Sequence, residues 1–128
     1  MSKYGNIPTT IDGITFPSKL EARRYVDLSL LQKAGEITGL ERQVTYRFEI
    51  GGVHVCNYIC DFQYLDKNGA LVVEDTKSPA TVTPEYRIKE KLMKALHGIT
   101  VVRVYKPESR LSKKSTGKRK IPSRRRSA

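Results

Sequence analysis

The chain has 128 residues, enough for one domain and little more. No apolar run approaches the ~18 residues of a membrane span, which excludes one; Met1 to Pro8 lack the apolar stretch of a secretory signal. Two cysteines are too few for a disulfide scaffold and point to a reducing cytosol. Of the net charge of +11, residues 106–128 carry +9 and residues 1–105 carry +2.

In chain order, Asp12-Gly13 punctuates Thr10–Phe16 and predicts a short hairpin. Pro17 to Gly35 predicts a helix. Ser18 is its N-cap, Glu21 completes a capping-box pattern, and Leu20, Leu28, Leu31 and Ala34 recur at helical spacing before Gly35 stops it. Val44–Ile50 is rich in β-branched and aromatic residues and predicts a strand. Gly51-Gly52 is a turn, Val53–Leu65 a second strand, Asp66 to Gly69 a hairpin turn, and Ala70–Lys77 a third strand. Thr83-Pro84-Glu85 starts a second helix with Ile88, Leu92, Ala95 and Leu96 as its apolar face and Gly98 as its end. Ile99–Tyr105 is a last, almost wholly apolar strand, expected to be buried. The order α-β-β-β-α-β predicts an α/β (α+β) fold with a mixed sheet flanked by helices.

Residues 106–128 hold only two large aliphatics, Leu111 and Ile121. Such a stretch cannot bury enough apolar surface to offset the entropy of ordering, so a disordered basic tail is expected, after a domain spanning 1–105. Its Lys113, Lys114, Lys118, Arg119, Lys120, Arg124, Arg125 and Arg126 would release counterions from DNA or RNA. An anionic membrane contact or a plain solvated tail are the competing readings.

Asp75 and Lys77 lie two apart near the end of the third strand and share a face. If Lys67-Asn68-Gly69 is a three-residue loop with Gly69 left-handed, Asp66 pairs with Ala70 and Asp61 falls opposite Asp75. A two-residue turn would set Asp61 beside Glu74 or Thr76 instead. The first register is favoured because it gathers two carboxylates and an ammonium at one spot. Opposed carboxylates repel unless a cation lies between them, which argues for a divalent metal. Mg²⁺ is often content with one or two protein carboxylates plus waters. Lys77 would then orient the attacking water or offset transition-state charge, and the reaction this suits is phosphodiester hydrolysis. The plain alternative is a solvated strand end.

Asp61 followed by Asp75-Thr76-Lys77 resembles the D…(D/E)xK signature of the PD-(D/E)XK nuclease superfamily. The wider layout is KYGN (3–6), DGITFPSKLEARRY (12–25), LLQKAGEITGLERQ (30–43), DFQY (61–64) and VVEDTK (72–77). It resembles a small family of phage and prophage proteins grouped with these nucleases, from about Lys3 to Tyr105. The resemblance implies a restriction-endonuclease-like core and Mg²⁺-dependent DNA cleavage in a host cytoplasm, with Mn²⁺ a substitute. It implies Asp61 and Asp75 as metal ligands, Lys77 as the catalytic lysine, and Glu21 as the acid that such enzymes place on the first helix, completing the catalytic and metal set. Gln43 matches a family position without a derivable chemistry. The superfamily includes junction resolvases that act as dimers on branched DNA. The resemblance therefore extends to a homodimer and to phage replication or recombination.

Other residues invite weaker readings. Glu74 would be the ligand under a shifted register. His54, Cys56 and Cys60 share a strand face, but three ligands are short of the four a structural zinc needs. Arg87, Lys91 and Lys94 form a helical stripe that could contact DNA, though such stripes are commonly just solvated. A protein of the same fold that binds nucleic acid without cutting it is the alternative to the nuclease.

Overall fold

The computed structural model of the chain describes residues 8–106. Of the tail expected to bind DNA, residues 107–128 lie outside the described residues. Among the described residues the fold is mixed α+β: two α-helices, a two-stranded sheet and a four-stranded mixed sheet.

Strands β1 (Thr9–Ile11) and β2 (Ile14–Phe16) form the expected hairpin, pairing Ile11 with Ile14 across Asp12-Gly13. Both turn residues have positive φ, 53° and 77°, as a two-residue turn matched to strand twist requires. Helix α1 (Lys19–Lys33) starts where Ser18 Oγ accepts from the Glu21 N–H at 3.1 Å. It ends in a Schellman motif, Glu36 N–H to Leu31 carbonyl and Gly35 N–H to Gln32 carbonyl, with Gly35 left-handed.

The main sheet runs β3 (Thr38–Ile50), β4 (Val53–Leu65), β5 (Leu71–Lys77), β6 (Val102–Tyr105). The first three strands are antiparallel neighbours, and β6 returns parallel to β5 through α2 (Pro84–His97). A short 3₁₀ turn, Pro79–Thr81, leads into α2, which Thr83 caps through Tyr86 N–H. β3 begins six residues earlier than expected, because Thr38–Arg42 pairs with β4 despite its polar, glycine-containing sequence. β6 is shorter than expected and not buried: it is the sheet edge, so Val102 and Tyr105 are exposed and only the neighbouring Val101 is covered.

Each helix covers one face of the sheet. Ala22 and Leu28 of α1 pack with Phe16, Ile37, Phe62 and Tyr64. Tyr86 and Met93 of α2 pack with Phe48, Tyr58, Cys60, Val73 and Val101. The inward stripes differ from the apolar counts. On α1 only Leu28 of the expected set is buried, joined by Ala22 and Glu21. On α2 the buried residues are Tyr86 and Met93, while Ile88 stays 59% exposed. Ile88 lies roughly 200° around the helix from Tyr86, so it faces away from the sheet that Tyr86 and Met93 meet.

Candidate active site

The turn between β4 and β5 sets the site's register. Asp66 Oδ1 accepts from the N–H groups of Asn68 and Ala70, Asp66 N–H bonds the Ala70 carbonyl, and Gly69 is left-handed. This is the three-residue loop. Pairing then runs through Leu65–Leu71, Tyr64–Val72, Gln63–Val73 and Phe62–Glu74, so the next opposed residues are Asp61 and Asp75.

At that step the backbone ladder stops and the strands fork. Their unpaired N–H groups are taken by the two carboxylates. Asp75 Oδ1 accepts from Asp61 N–H, and Asp61 Oδ2 accepts from Thr76 N–H and Oγ1, each at 2.9 Å. The acids brace the fork by crossing it, which satisfies donors that would otherwise be lost from the ladder.

The fork opens a cavity of about 460 Å³ lined from both helices. Glu21 and Leu20 enter from α1, Asp61 from β4, Asp75 and Lys77 from β5, and Tyr86 and Lys89 from α2. The four residues expected to carry the chemistry therefore line one space. Glu21 and Asp75 are each 3% exposed. Tyr58 OH donates to Asp75 Oδ2. Burial is the main force raising Asp75's pKa, and the nearby Asp61 charge adds to it against the Tyr58 hydrogen bond. Burial, then repulsion from Asp61, pushes Glu21 up to about 7 despite Arg42 and Gln43. The acids thus feel one another as like charges confined together.

Glu21 does not complete the capping box. Its Oε2 instead accepts from Gln43 Nε2 at 3.1 Å, with Arg42 Nη2 at 3.9 Å. Lys77 does not ion-pair with the acids: its Nζ sits 3.8 Å from the Tyr86 ring centroid and 3.5 Å from the Thr81 carbonyl. The Tyr86 hydroxyl is buried beside Asp75 and Glu90 but makes no well-formed hydrogen bond.

Among the described residues no three His, Cys, Asp or Glu side chains are gathered tightly enough to hold a metal as they stand. The donor set still suits a hard cation of the Mg²⁺ kind, which keeps several waters and needs one or two carboxylates. Asp61 and Glu21 each keep one carboxylate oxygen without a hydrogen bond.

Glu74, the alternative ligand, faces α1 instead. It is 1% exposed, held bidentately by Arg24 at 2.7 and 2.9 Å, and accepts from Tyr64 OH at 2.6 Å. Tied to Arg24 and Tyr64 and outside the cavity lining, it is a structural anchor. Cys60 is buried, its thiol pushed up to about 12 by burial, and His54 is exposed and bonds Asn57. Arg87, Lys91 and Lys94 lie on the exposed side of α2, away from the cavity lining. Lys89 and Tyr86 do line it, and their three-residue spacing on the helix is the sequence signal that places them on one face.

Fold and cavity together define a mixed α+β protein with an acid-lined site at a fork in its sheet. Residues 1–106 match the model of a family described as "Protein of unknown function (DUF1064)", and the chain belongs to that family. No curated protein and no solved structure matches it. No helix among the described residues is long and apolar enough to cross a membrane.

Proposed function

We propose that the chain is a Mg²⁺-dependent deoxyribonuclease of the PD-(D/E)XK kind. The observation that carries this reading is the meeting of Glu21, Asp61, Asp75 and Lys77, from three separate elements, in one cavity. Asp61 and Asp75 would hold the cation, with Glu21 completing the set. A bound Mg²⁺ would polarise the scissile phosphate and acidify a water. Lys77, on the cavity wall, would offset the charge that grows on the phosphate as the water oxygen bonds phosphorus and a deoxyribose oxygen departs. Its seat on the Tyr86 ring and the Thr81 carbonyl keeps the ammonium on the wall of the acid-lined cavity without an ion pair to the acids. The basic residues 106–128 would supply sequence-independent affinity for DNA.

A second reading has its own support. Lys77 makes no ion pair with the acids, and among the described residues no three metal-binding side chains are already gathered, as suits a protein that binds nucleic acid without cutting it. Incubating linear, single-stranded and four-way-junction DNA with Mg²⁺, and with EDTA, separates the two. The nuclease reading expects cleavage with Mg²⁺ that EDTA abolishes; retention of DNA with no cleavage of any substrate establishes the second.

A further inference from the structure

Gln43 stands in the middle of the thirteen-residue strand β3 with φ of +51°, one of two non-glycine residues at positive φ among those described. Its neighbours Arg42 and Val44 pair with Phe62 and Cys60, which leaves Gln43 opposite Asp61. Side-chain alternation inverts across this pair. Phe62 packs under α1 and Cys60 under α2, although residues two apart in a strand should share a face. On β3, Arg42 lies 4.5 Å over Phe16 on the α1 side, while Val44 packs under α2. Both strands therefore twist over at the same rung, and the ladder register is the same on either side of it.

A left-handed residue in a strand is ordinarily glycine or asparagine. Gln43 is solvent-exposed, so packing does not demand its long side chain. What the side chain does reach is Glu21 Oε2, at 3.1 Å. A shorter amide at this rung would not span that gap. Strain held at one rung, opposite one candidate ligand and hydrogen-bonded to another, is the pattern of a backbone bent for function.

We propose that Gln43 is a positioning residue: its carboxamide holds Glu21 turned toward Asp61 and Asp75 so that the three acids can take a divalent cation together. This rests on the metal-site reading above. The amide donates to one oxygen of Glu21 and leaves the other for the cation, the part played by hydrogen-bonded partners around metal-ligating carboxylates.

The test uses the full chain with Mn²⁺ as the probe metal. Mn²⁺ affinity is measured by calorimetry and thermal midpoint without metal by circular dichroism, for wild type, Gln43→Gly and Gln43→Asn. Both variants tolerate the left-handed backbone and neither reaches Glu21. The expected result is a thermal midpoint equal to or above wild type, with Mn²⁺ affinity weakened about 10-fold or more. Affinity equal to wild type in both variants overturns the positioning role and leaves the metal site standing. A midpoint that falls along with affinity also overturns it, because Gln43 would then serve the fold alone. Wild type that takes up no Mn²⁺ overturns the metal-site reading and this one with it.

Discussion

At the scale of single residues, the acids and the lysine should separate by what they do. Asp61→Asn keeps an oxygen able to accept from Thr76 yet removes the charge, so it should lower cleavage at least ~10-fold while DNA binding persists. Cleavage above about a tenth of wild type would count against Asp61 as a ligand. Lys77 cannot ligate a cation. Lys77→Ala should therefore slow cleavage at saturating DNA and leave the Mg²⁺ midpoint unchanged or tighter, whereas Asp75→Asn should raise the Mg²⁺ requirement as well. Rate measured against Mg²⁺ concentration for the two variants gives the answer. Glu21 makes a prediction for the metal-free protein. Its folded pKa, about 7, lies above the ordinary 4.5, so the folded state grips this proton more tightly than the unfolded chain. Its favourable contribution is complete below pH 4.5 and is lost as pH rises through 7. Glu21→Gln should accordingly be more stable than wild type at pH 8, by up to roughly 2–3 kcal/mol, and equal to it near pH 4. Urea titrations at both pH values would show it; a variant less stable at pH 8 would mean the charged carboxylate is well accommodated.

Among elements, α1 is fastened to the sheet by Arg24 on Glu74, an ion pair whose acid is buried and also bonded to Tyr64. Breaking one side strands a charge. Arg24→Leu should lower stability by about 3 kcal/mol or more, and adding Glu74→Gln should restore much of it, since the penalty lies in the unpaired carboxylate. Chemical denaturation of the single and double variants tests this. The placing of Asp61 opposite Asp75 was legible in the sequence, because Asp66 to Gly69 fixes the loop length and strand geometry fixes the rest. The hairpin before α1 and the caps at Ser18, Thr83 and Gly98 were legible for the same local reason. The inward faces of the helices were not. Counting apolar residues favoured Ile88 and Leu96, but the sheet below α2 meets Tyr86 and Met93. The bend at Gln43 was invisible, since nothing in glutamine's propensity announces a left-handed backbone. Glu74 and Asp75 are adjacent and chemically alike. Only knowing which face carries Arg24 and Tyr64 tells the anchored acid from the one that lines the cavity.

For the whole molecule, residues 107–128 hold nine basic side chains, while the described fold closes its core without them. Deleting 107–128 should leave cooperative thermal unfolding intact and weaken DNA binding. If half of the nine contact phosphates, the slope of log K against log salt should lose roughly 4. An unchanged slope would show that affinity resides in the folded domain. The crossed carboxylates at the fork give that domain a built-in reporter. The backbone amides of Asp61 and Thr76 are held by the same side chains that would grip a cation. Drawing those oxygens toward a metal would alter both amide bonds at once. Titrating Mg²⁺ into isotope-labelled protein should therefore move the Asp61 and Thr76 amide resonances, and change their hydrogen-exchange rates, ahead of signals from the distant β1–β2 hairpin. The two strands would register occupancy of the site through their own backbone, with no DNA present and no bond cleaved.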